Sequence, residues 1–102
     1  MAQKLSEEHQ QLLDQLQSAR CIEWHSIDPS RNRFRFYIIE CLPADLFGML
    51  ELTIRNGRIG HVSANKPRCL VIVKSVQEQV TAMRKECARR LKHGYMPVIV
   101  HQ

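Results

Sequence analysis

The sequence predicts an α+β fold: several short strands in a sheet, with one helix before them and one among them. Runs with an apolar period of two, or rich in β-branched residues, recur at 31–42, 50–54, 69–73 and 96–101. Apolar residues at helical spacing occupy 7–20 and 75–92. With 102 residues, 44% of them hydrophobic, the chain has the size of one domain that buries a modest core unaided.

The first helix starts at Ser6, an N-cap residue, with Glu7 and Glu8 suited to the positive end of the helix dipole. Leu5, His9, Leu12, Leu13, Leu16 and Ala19 form its stripe, giving a helix over 7–20 that packs on the domain's own sheet. A homodimer through this helix is the alternative. Cys21 to Pro29 is a connector or short strand holding the only tryptophan, Trp24, expected in the core. Asp28-Pro29-Ser30 is a turn.

In the strand from Arg31 to Leu42, Phe34, Phe36 and Ile38 share one face, and Arg33, Arg35, Tyr37, Ile39 and Cys41 the other. The second face is basic at its start and apolar at its end. The first helix should therefore cover the apolar half and leave Arg33 and Arg35 in solvent. Next, Leu50, Leu52 and Ile54 alternate with Glu51, Thr53 and Arg55, but Ile59 has the wrong parity to continue that face. Two readings fit Asn56-Gly57 between them. They are either a two-residue hairpin turn or a bulge in one long strand that sends Arg55 and Arg58 off the apolar face.

Residues 62–67 read as a turn, with Lys66 and Arg68 as phosphate donors, followed by a strand from Cys69 to Val73. Ser75 and Glu78 fit a capping box opening the second helix. Val76, Val80, Met83, Cys87 and Leu91 are its expected buried stripe. Arg84, Lys85, Arg89, Arg90 and Lys92 crowd its last turns, where they complement the dipole, and Gly94 suits the position after its end. Pro97 places the last strand, Met96 to His101, at a start or an edge.

Charge is uneven. The first 28 residues hold two cations against five carboxylates, and the remainder thirteen against five, so a basic region follows an acidic segment. Ten of the fifteen cations are arginine, the side chain suited to bidentate phosphate contact. This balance points to a polyanionic partner. No Gly-rich phosphate loop, nucleophile elbow or metal-spaced ligand set is present, which argues against an enzyme and predicts no cofactor, no metal and no small-molecule substrate. His61 would serve as a general base only beside a pocket and a partner carboxylate. Cys21, Cys41, Cys69 and Cys87 stand far apart without a C-x-x-C pair, as free thiols in a reducing compartment. With no apolar run long enough to span a membrane and no leader-like segment in 1–20, a cytoplasmic protein is expected.

Asn32-Arg-Phe-Arg-Phe-Tyr37, Leu46-Phe-Gly48, Asn56-Gly-Arg-Ile-Gly60 and Lys92-His-Gly-Tyr95 occur in an order and spacing that resemble a WGR domain. The resemblance covers about 28–97 and is nearest to bacterial members that occur as small stand-alone proteins. It divides the chain into an N-terminal helix and connector, 1–27, and a WGR-like domain, 28–102. It implies a twisted antiparallel sheet of four to five strands with a helix on one face, and it places Asn-Gly-Arg within a strand, which selects the bulge. In eukaryotic poly(ADP-ribose) polymerases such a domain binds DNA near a strand break. There the motif Trp stacks at the sugar of the terminal nucleotide, and the motif Arg makes polar contacts, including to neighbouring domains. By that analogy this chain binds nucleic acid, DNA before RNA. The motif Trp is Asn56 here, and an amide lacks a stacking surface worth roughly 1–3 kcal/mol. Gly57 and Arg58 match. The candidate binding residues are Arg58, Arg55, Asn56, Gly57, Arg33, Arg35, Lys66 and Arg68.

Overall fold

The computed structural model describes residues 5–60 and 66–102. Its elements follow in the order α1 (Glu7–Gln15), β1 (Cys21–Asp28), β2 (Arg33–Cys41), β3 (Leu50–Arg58), β4 (Arg68–Val73), α2 (Val76–Lys92) and β5 (Met96–His101). The strands form one antiparallel sheet in the order β4-β3-β2-β1-β5. The segment from Cys21 is thus a full interior strand, paired on both sides, and Pro97 lies on an edge strand.

Both helices cover the same face. Leu13 of α1 and Leu16 at its C-cap join Met83, Cys87 and Leu91 of α2 in one cluster with Ile22, Trp24, Tyr37, Ile39, Leu52 and Ile54. Trp24 is fully buried there, and the α1 stripe is used by the chain's own core. Ser6 caps α1 through His9 N–H, but the helix ends at Gln15 rather than Arg20. Ser75 caps α2, and the bonds Gly94 N–H to Leu91 O and Tyr95 N–H to Arg90 O close its far end, with Gly94 at φ +82°.

Two further expectations change. The buried stripe of α2 is Gln79, Met83, Glu86, Cys87, Arg90 and Leu91, while Val76 is 57% exposed. Gln79 and Glu86 find hydrogen-bond partners inside, while the buried Arg90 Nε has none within hydrogen-bond reach. Gln79 donates to Leu42 O and Glu51 O, each at 2.9 Å, and accepts from Arg20 Nη2 at 2.8 Å. Tyr37 donates its hydroxyl to Glu86 Oε1 at 2.8 Å, and the Arg90 guanidinium lies 4.1 Å over the Tyr37 ring.

The second change is at Asn56-Gly57, where there is neither a turn nor a bulge. β3 pairs with β2 in unbroken register from Leu52–Cys41 to Arg58–Arg35, and Ile59 N–H continues the ladder to Phe34 O. Ile59 needs no slip, because it serves the uncovered face beside Phe36 and Ile38. The irregularity along β3 lies instead on its β4 side, between Leu52 and Thr53, where Leu70 is passed over. Consequently Arg55 and Arg58 project to opposite faces.

Candidate nucleic-acid interface

The helix-covered face of the sheet runs out before its strands do. On β2 the residues Tyr37, Ile39 and Cys41 lie under the helices, and Arg33 and Arg35 extend the same face past the end of α2. Arg35 is left in solvent as expected, but Arg33 is half-buried, because the end of α2 and Tyr95 pack against it. Antiparallel pairing sets Arg58 directly opposite Arg35. The β1–β2 connection then wraps this end, with a 3-10 turn over Pro29–Arg31 closed by Asn32 at φ 51°, a left-handed backbone that asparagine tolerates.

These segments enclose an open cleft of about 450 Å³ lined by Arg31, Asn32, Arg33, Arg35, Gly57 and Arg58. Arg58 is fixed in it by two bonds to one residue, Nη1 to Asn32 O at 3.2 Å and Nη2 to Asn32 Oδ1 at 3.0 Å. Its guanidinium carbon also lies 5.4 Å from the centre of the Phe34 ring. Arg33 leans toward the end of α2, 5.6 Å from the Tyr95 ring centre and 3.5 Å from His93 O, while its buried Nε has no acceptor. Arg35 is exposed. Gly57 contributes a bare stretch of backbone.

Among the described residues, the one carboxylate paired with a cleft arginine is Asp28, 3.5 Å from Arg31 Nε, and both side chains are well exposed. Ion pairs of that kind contribute little. The remaining ion pairs of arginine lie on the helices, Arg84 with Asp14 and Arg89 and Arg90 with Glu86. The cleft thus keeps its positive charge, as an anion site requires.

Of the eight candidates, the structure brings Arg33, Arg35, Gly57 and Arg58 together. Asn56 lies on the same face, opposite Tyr37, and accepts at Oδ1 from Arg68 Nη2 at 2.9 Å. Those two flank the cleft on its β4 side. Lys66 is exposed ahead of β4. Arg55 is not part of this surface. It lines a smaller hollow of about 120 Å³ on the uncovered face with Glu23, His25, Phe36, Ile38 and Ile59, where His25 Nε2 meets Glu23 Oε2 at 2.7 Å. Arg31 and Asn32 were missed as lining residues. The turn signal at Asp28-Pro29-Ser30 placed them beside Arg33, and reading the turn as a wall of the site would have found them. His61 and the turn residues up to 65 lie outside the described residues.

The thiols are all free. Burial pushes Cys87 up to about 12, which suppresses thiolate chemistry there. Among the described residues no group of three or more His, Cys, Asp or Glu is placed to hold a metal ion, and no helix is long and apolar enough to cross a membrane.

Fold and site together define a small α+β domain that carries an arginine-lined cleft at one end of its sheet. The chain belongs to the WGR domain family, whose match spans residues 22–99, from β1 into β5 and beginning ahead of the boundary at residue 28 suggested by the motifs. WGR domains are generally nucleic-acid-binding modules. Neither a curated protein nor a solved structure matches the chain.

Proposed function

We propose that this WGR domain is a non-enzymatic module that holds the phosphate backbone of nucleic acid, DNA in preference to RNA, in the cleft of Arg31, Arg33, Arg35 and Arg58. The observation that carries this reading is the convergence of four guanidinium groups on one open cleft in which, among the described residues, only Arg31 is paired with a carboxylate. Arg68 and Lys66 extend the positive surface toward β4. Guanidinium forks match phosphate oxygens bidentately. Phosphate contacts fix position on a strand without reading bases, so sequence specificity is low.

Asn56 stands where a family member would carry the stacking Trp, and Trp24 is buried beyond reach. Affinity therefore rests on charge. Fluorescence anisotropy with labelled duplex DNA and RNA over a salt series tests this. About four neutralised phosphates give a log–log salt slope of about −3 to −4. No binding at low salt, or binding unchanged by Arg58→Ala, rejects the proposal.

A further inference from the structure

Leu46 is 99% exposed and Phe47 88%. Both lie in the connection between β2 and β3, at the opposite end of those strands from the arginine cleft. The connection is firmly held. Asp45 N–H donates to Met49 O at 2.8 Å, and Gly48 N–H donates to Asp45 O at 3.1 Å. Asp45 Oδ1 accepts from Phe47 N–H at 2.8 Å and from Met49 N–H at 2.9 Å. Gly48 takes φ +76°, which permits the tight turn. The two side chains are therefore presented on a preformed turn, whose burial costs little ordering entropy. Among the described residues, Asp45 Oδ2 has no partner.

A complementary surface lies elsewhere on the chain. Between α1 and α2 runs an open groove of about 430 Å³ lined by the apolar Leu5, Leu13 and Ala88, the polar Gln10 and Thr81, and the cationic Arg84 and Lys85. Arg84 is paired with Asp14 at 2.9 Å. Among the described residues Lys85 has no carboxylate partner.

We infer that the Asp45–Phe47 turn of one copy docks in the α1–α2 groove of a second copy. Leu46 and Phe47 bury against Leu5, Leu13 and Ala88, and the free Asp45 oxygen meets Lys85. An acidic, apolar projection thus enters a groove whose lining includes apolar and cationic side chains. Because the two surfaces differ, the contact is head-to-tail, and a pair of copies leaves one projection and one groove open for further growth. The surface is separate from the arginine cleft, so this inference stands independently of nucleic-acid binding.

Sedimentation velocity of the full chain, up to millimolar concentration, tests it. The wild type grows past a dimer as concentration rises. Phe47→Ser, at an exposed position that leaves the fold intact, weakens association at least about tenfold. Ala88→Arg blocks the groove, and Lys85→Glu does so by charge without disturbing the packing. Circular dichroism confirms that each variant is folded. Mixing Phe47→Ser with a groove variant yields a dimer that grows no further, since one projection and one groove remain. A wild type that stays monomeric, association unaffected by Phe47→Ser, or a dimer formed by each variant alone overturns the inference.

Discussion

Asn56 and Arg68 are joined across the β3–β4 step, with Arg68 Nη2 donating to Asn56 Oδ1 at 2.9 Å. The residue in place of the motif tryptophan therefore orients a cation rather than offering a stacking plane. Asn56→Ala should release Arg68 and change duplex affinity by less than about threefold, since the charge is retained. Asn56→Trp should raise affinity for a duplex end by about tenfold, within the roughly 1–3 kcal/mol of one stacked platform. Anisotropy titrations with a free and a hairpin-closed duplex end measure both.

Arg55 and Arg58 are three residues apart on β3 and on opposite faces of the sheet. Arg58→Ala should lower affinity and reduce the magnitude of the salt slope by about 1. Arg55→Ala should leave both near wild type. Equal losses from the two variants would contradict the single-cleft geometry.

The Tyr37 hydroxyl is pushed from 10 up to about 12, first by burial, then by its bond to Glu86 and the charge of that carboxylate. The folded state holds this proton more tightly than the unfolded chain does. The stabilisation is complete below pH 10 and is lost as pH rises through 12. Tyr37→Phe should cost about 1–3 kcal/mol at neutral pH, because Glu86 loses a buried donor. The gap between wild type and variant should narrow over that alkaline window in urea titrations.

Gln79→Ala removes the amide that serves Leu42 O and Glu51 O and accepts from Arg20. It leaves the part-buried Leu42 carbonyl without its donor, while Glu51 O keeps the Leu42 N–H, and should cost about 1–3 kcal/mol. DNA affinity of the folded variant should be unchanged, because the amide lies at the far end of β2 and β3 from the cleft.

Much of this was legible in the sequence. Strict alternation in β2 assigned Arg33 and Arg35 to the Tyr37 face, and caps and glycine marked the bounds of α2. The failures have physical causes. Ile59 suggested a slip because its apolarity was credited to the covered face, although the uncovered face carries Phe36 and Ile38. Gln79, Glu86 and Arg90 were left out of the α2 stripe because residue type does not reveal an internal partner; each is buried among groups from distant strands. Arg31 was passed over because its place in the cleft depends on how the Pro29–Arg31 turn folds back.

β2 is the middle strand of five, bonded along both edges, and it carries Arg33 and Arg35. Opening its amides to deuterium requires the whole sheet to come apart, not the fraying of a loop. The strand-borne wall of the cleft, Arg33 and Arg35, should therefore loosen only with the sheet. Urea should abolish ligand capture and backbone protection at one common midpoint.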